Sequence, residues 1–220
     1  MNRQTSLVSA LILVFLSASA MAIEEPDYAV VGGNEEFEIR RYDPYLVAEV
    51  DVDGNIDEAG DRAFRILAGY IFGDNTSSTR MEMTAPVESR PATKGEKMAM
   101  TAPVTATNAS DEGKSTYAFV MERKYTMDTL PVPNDKRIRL RQVPERTMAV
   151  RRYSGRWTED KYEQNKEALR EALSALGIQA IGAPVLARYN SPFSLPFMRR
   201  NEVMYEIAGL DSYRAAHRDH

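Results

Sequence analysis

The sequence predicts an α+β fold: duplicated β-α-β-β halves forming a distorted antiparallel β-barrel flanked by two helices. Two observations carry that expectation. Alternating apolar segments, each broken by a proline, precede two segments of helical periodicity. The order of parts then recurs: Gly155 follows Gly54 by 101 positions (155 − 54), and Gly177 follows Gly73 by 104 (177 − 73).

Each element has its own signal. In "FEIRRYDPYLVAEVDV", Phe37 and Ile39 share a face, as do Leu46, Ala48, Val50 and Val52, with "DP" bending the chain between them. A period of two marks strands. Next, Asn55 and Glu58 have capping-box spacing, and Ala63, Ile66, Leu67, Tyr70 and Ile71 recur at helical spacing. Gly73 can end that helix, which is expected over 56–72. "MEMTAPV" (81–87) and "MAMTAPV" (98–104), 17 apart (98 − 81), are expected as strands paired across a polar loop, with Pro86 and Pro103 at ends or edges. "STYAFVMER" supplies another strand. The second half repeats the pattern: strands in "IRLRQVPERTMAVRRYSG", then a helix capped by Thr158 and ended by Gly177, burying Tyr162, Leu169, Ala172, Leu173 and Leu176. Strands in "PVLARYN" and "NEVMYEI" complete it.

The start of the chain has the layout of a secretory signal peptide: Arg3, an apolar run from Leu7 to Ala18, and Ala20-Met21-Ala22 as cleavage site. The run is short for a membrane span of about 20 residues. The expected organisation is a signal peptide at 1–22, one domain at 23–210 and a polar tail at 211–220. The expected product is a periplasmic monomer with no stable membrane insertion after cleavage. Net charge is −4, or −5 once Arg3 is removed, which argues against a nucleic-acid partner. There are 0 cysteines, and the two histidines, His217 and His220, lie in the tail. Thiolate chemistry, cysteine-rich zinc sites and histidine-built triads therefore have no residues to use.

Three motifs bear on binding. The Met-x-Met pairs (Met81, Met83, Met98, Met100) are either core packing or soft donors for Cu(I). Adjacent residues of a strand face opposite ways, so at most one of each pair Arg40–Arg41, Arg151–Arg152 and Arg199–Arg200 looks inward. An inward arginine at a pocket mouth can grip a carboxylate bidentately. The Asn75 and Asn108 sequons are read as chance matches.

"FEIRRYDPYLVAEV", "MTAPV", "YSGRW" and "YNSPFSLPFMRRNEVMYEI" together resemble the SOUL haem-binding family from about Glu36 to Ile207. The resemblance implies the two-half barrel, no catalysis, and binding of haem or a related tetrapyrrole along the first helix and neighbouring loops. The positions where family members place basic residues on that helix fall on Asp61 and Gly69. Arg62 and Arg65 are left to meet the propionates, with Ile66, Tyr70, Met83 and Met100 as apolar lining. With no internal histidine, an iron would rest on apolar contact, on Met or Tyr, or on a tail His. The wider fold also resembles bacterial effector-binding modules. That keeps open a binder of another small hydrophobic ligand.

Overall fold

The computed structural model describes residues 24–54, 56–77, 95–109, 113–190 and 194–208. The chain enters through β1 (Tyr28–Gly33), β2 (Glu38–Tyr42) and β3 (Tyr45–Asp53), followed by α1 (Ile56–Ile71). After the short β4 (Asn75–Thr76) come β5 (Val104–Ala109), β6 (Lys114–Val120), the short β7 (Val132–Pro133), β8 (Arg139–Val143) and β9 (Arg146–Ser154). Helix α2 (Glu159–Ala175), β10 (Ala180–Arg188), a 3₁₀ turn (Pro196–Met198) and β11 (Arg200–Ile207) finish the fold. β4 pairs with β7; the other nine strands form one antiparallel sheet in the order β1-β2-β9-β11-β10-β5-β6-β3-β8.

That order has a symmetry. Take β2, β3, α1, β5 and β6 as one half, and β8, β9, α2, β10 and β11 as the other. Exchanging the halves turns β2-β9-β11-β10-β5-β6-β3-β8 into its own reverse. The halves also interlock, because β2 pairs with β9 and β8 with β3. Among the described residues no ladder joins β1 to β8, so closure of the expected barrel is not seen in them and the sheet is a curled one. The β8 edge is charged. Its Arg139 and Arg141 pair with Glu49 and Asp51 of β3, and a charged edge resists a further strand.

The helices bury the stripes the sequence predicts. α1 packs on β3, β5 and β6, and α2 on β9, β10 and β11. Ala63, Leu67, Tyr70, Tyr162, Leu169 and Leu173 meet Ile39, Val50, Phe119, Leu186 and Val203 in one core. Thr158 caps α2, its side chain accepting from the Lys161 amide at 3.3 Å. Gly73, at φ 112°, follows the end of α1 where a left-handed residue is needed. The side chains of Asn55 and Glu58 lie outside the description. No helix among the described residues is long and apolar enough to cross a membrane.

Two local expectations need correction. β1 carries no clear alternation and was not expected; it forms because Gly33 (φ 136°) allows Phe37 O to approach where a Cβ would stand 2.5 Å away. The second Met segment is not a strand up to Val104. Its Met98 amide donates to Ile71 O and its Ala102 amide to Glu24 O, so it is tied down by single bonds rather than a ladder. Alternation survives: Met98 is buried, Ala99 exposed and Met100 half-buried against the core. Met81 and Met83, with the first "MTAPV", lie outside the described residues.

Candidate functional site

The sheet presents rows of residues across its strands, and one row builds the site. Val104 of β5, Arg188 of β10, Asn201 of β11 and Tyr153 of β9 are successive ladder partners. Three of them, Val104, Arg188 and Asn201, line a cavity of about 360 Å³ beneath the helices, at the centre where β5 meets β10. Tyr117 and Ala106, partners one step further along, continue the floor. α1 supplies Gly60, Asp61 and Phe64 as one wall; Trp157, Asn190 and Arg199 supply the other.

Each wall residue is positioned by something nearby. Trp157 immediately precedes the α2 cap, which fixes where the indole stands. The Arg188 guanidinium lies 4.0 Å from the centre of that ring, a cation–π stack. Gly60 lets α1 approach Tyr117, whose hydroxyl lies 3.3 Å from where a Cβ would be. The Phe64 ring leans on Phe119 at 5.5 Å. Asn201 donates to Gly155 O at 3.2 Å. The Tyr153 hydroxyl and Trp157 Nε1 are buried donors with no hydrogen-bond partner. Burial pushes the Tyr153 phenol up to about 12, against the lowering influence of the Arg188 charge. The cavity wall is therefore aromatic and rich in donors: Arg, Asn, Trp and Tyr, with Asp61 as its carboxylate. Such a surface suits a flat apolar molecule with anionic or acceptor groups.

The residues expected from sequence fall elsewhere. Arg62 is exposed and donates to Asp53 O; Arg65 is exposed. On a helix of 3.6 residues per turn, Arg62 lies roughly 150° and Arg65 roughly 90° round from the Gly60–Asp61–Phe64 face. Ile66 packs on the core, and Met100 does the same. Tyr70 is wholly buried and donates to Pro131 O at 2.7 Å, which pushes nothing toward the cavity. None of these five lines the cavity, and Met83 lies outside the described residues. Of the two helix positions singled out by the resemblance, Asp61 lines the cavity and Gly69 does not; the cations stand on the facing wall. Arg188 and Trp157 were missed because they are 31 residues apart (188 − 157), and no local pattern links them. Arg199 belongs to a noted pair and is the inward member here.

Haem asks for an apolar shelf, cations for its propionates and a ligand for iron. Phe64, Tyr117 and Trp157 offer the shelf, and Arg188 and Arg199 the cations. For iron, the lining among the described residues offers the Tyr117 phenol and no His, Cys or Met. Among the described residues no group of three or more His, Asp or Glu is placed to hold a metal.

The fold is an interlocked α+β sheet with a cavity at its centre. The model of the SOUL heme-binding protein family matches residues 23–94 and 88–206, and this chain belongs to that family. No curated protein matches it. Among solved structures, it is similar to an uncharacterized conserved protein from Listeria innocua (10% identity, 80% of this chain and 94% of that one, TM-score 0.55). It is also similar to a hydrolase from Listeria innocua (12%, 81% and 94%, 0.51) and to the EcmrR C-terminal domain (8%, 82% and 97%, 0.52). At such identities the likeness is one of fold.

Proposed function

We propose that the protein is a secreted, periplasmic and non-catalytic binding protein for haem or a related tetrapyrrole, held in the central cavity as a monomer. The two halves are proposed to repeat one ancestral β-α-β-β unit, which accounts for both the strand order and the recurring glycines. The observation that carries the binding reading is Arg188 stacked on Trp157 beside Arg199, in the cavity of a chain that belongs to the SOUL family. The macrocycle rests on the aromatic wall, and its carboxylates meet the two guanidinium groups.

When bound, haem would bring its iron, which supplies the visible absorption that reports binding; the chain's own part is to shelter the ring and pair its acids. Because the described lining gives iron no imidazole or thioether, a second reading has its own support: another flat, apolar carboxylate binds the same cavity. Trp157 is the protein's single tryptophan, so ligand binding is read directly by its fluorescence. Titration with hemin and with metal-free protoporphyrin should quench Trp157 saturably, and Arg188→Glu should weaken both by tenfold or more, about the value of a charge-assisted hydrogen bond. Unsaturable quenching by both, beside a working albumin control, retires the tetrapyrrole reading.

A further inference from the structure

Among the described residues, large apolar side chains are exposed at several single positions, but at one place three lie together. In the turn between β10 and β11, Leu195, Phe197 and Met198 are 55%, 73% and 65% exposed. Exposed apolar residues scattered singly are ordinary; a cluster of this kind marks an interaction site.

The turn holds these side chains out on a rigid base. Pro196 opens the 3₁₀ turn, the Met198 amide donates to Leu195 O at 2.9 Å, and the Arg199 amide to Pro196 O at 3.2 Å. Arg199 Nε returns to Ser194 O at 2.9 Å, and the Arg200 amide donates to Asn190 Oδ1 at 2.6 Å. The exposure is thus built in by backbone bonds on both sides.

Size and charge choose the partner. A standard protein–protein interface takes about 20–30 residues a side. Three side chains on one turn fall far short of that, yet they are enough to enter the boundary between lipid headgroups and acyl chains. The turn packs on β9, where Ser154 pairs with Arg200; Arg152 and Arg156, both exposed, lie two residues to either side of Ser154. Glu159 and Asp160 in the first turn of α2 answer part of this charge. Even so, the chain as a whole is negative, and exposed Arg152 and Arg156 flank the stretch of β9 beside this turn, with Arg199 at the turn's end. Asn190 and Arg199, at its two ends, also line the central cavity.

We infer that the Leu195–Met198 turn is a peripheral docking knuckle for an anionic phospholipid surface, placing the mouth of the cavity against the bilayer. A planar apolar ligand dissolved in lipid then reaches the cavity without crossing water. The docking itself needs no ligand, so it and the tetrapyrrole reading stand or fall on separate measurements.

The test uses the chain processed after Ala22, since every strand and helix described lies within 24–208. It should co-sediment with vesicles containing phosphatidylglycerol, more weakly with phosphatidylcholine alone, and less as salt rises. Phe197→Ser with Met198→Ser should lower the vesicle partition by about tenfold or more, since each exposed side chain loses its burial in lipid. Arg156→Gln should lower it less, and for phosphatidylglycerol alone. Phe197→Trp should shift its emission to the blue and be quenched by brominated lipid. Absence of sedimentation, equal binding by the double variant, equal binding to both vesicle types, or unquenched Trp at 197 would each overturn the inference. So would concentration-dependent dimerisation that the double variant abolishes, which would assign the turn to a second copy.

Discussion

The two faces of β10 and β11 use the same residue types to opposite ends. Three neighbouring pairs straddle the sheet: Arg188 and Tyr189, Arg199 and Arg200, Asn201 and Glu202. The first member of each lines the central cavity. The second belongs to a closed network on the far face. There, Arg40 donates to both oxygens of Glu202 at 3.0 and 3.2 Å, the Tyr189 hydroxyl donates to it at 2.6 Å, and Arg200 Nε at 2.9 Å. Arg200 also reaches Glu25, and the Arg40 and Arg200 planes lie over Tyr28 and Tyr189. Burial opposes the charge on Arg40, but the Glu202 carboxylate outweighs it and holds the guanidinium well above its ordinary range. Burial also pushes the neighbouring Tyr42 phenol up to about 12. On the far face Glu202 joins both arginines, with Glu38 on Arg40 and Glu25 on Arg200, whereas the cavity face spreads its donors around an open volume. Arginine on a strand is structural or ligand-facing according to what stands across from it.

The largest expected effect breaks the closed side. Glu202→Leu removes the buried carboxylate that joins Arg40 to Arg200, leaving Arg40 with Glu38 and Arg200 with Glu25, and should cost about 3 kcal/mol in urea unfolding, the low end for a broken buried pair. Arg40→Met alone should cost a similar amount, and the double variant Arg40→Met with Glu202→Leu should recover a large part of it. Additive losses would show that the pair does not act as a unit, and the comparison between faces would fail.

The cavity side should respond in the other currency. Arg188→Ala keeps Trp157 and the sheet row, and ligand affinity should fall about tenfold. Arg62→Ala, on the far side of α1, should leave affinity unchanged. If Arg62→Ala weakens binding and Arg188→Ala does not, the helix surface implied by the family resemblance is the site, and the central cavity is not.

How much of this was legible follows from the range of each signal. The strands β2, β3, β6, β9, β10 and β11 and both helices show in local periodicity, because burial of one face writes itself into every second or every third and fourth residue. β1 was missed: Val30 of "YAVVGG" is 57% exposed, so no buried face disciplines its pattern. The second Met segment kept its alternation without a ladder, and periodicity alone cannot tell those apart. The site was harder. Asp61 entered the sequence reading only as a position lacking the family's basic residue, whereas the Arg188–Trp157 stack depends on β10 and the α2 cap meeting in space. Residues joined only by tertiary packing leave no spacing to read.

The smallest prediction concerns an exposed counterpart of the closed network, where β3 meets β8. Asp51 accepts from Arg139 and Thr116 at 2.6 and 2.7 Å, beside Glu49, which pairs with Arg139 and Arg141. The hydrogen bond from Arg139 holds the Asp51 carboxyl below its ordinary value of 3.8. A depressed folded-state pKa contributes stability that is present above the unfolded value and lost as pH falls through the folded one. Urea midpoints should therefore drop below about pH 4 partly through Asp51, and Asp51→Asn should flatten that part of the acid limb. Because Asp51 and Arg139 are both more than a third exposed, the loss at neutral pH should stay within about 0–1 kcal/mol and shrink further in salt. A cost as large as that of Glu202→Leu would mean that exposure does not separate the two networks, and burial would lose its place as the reason they differ.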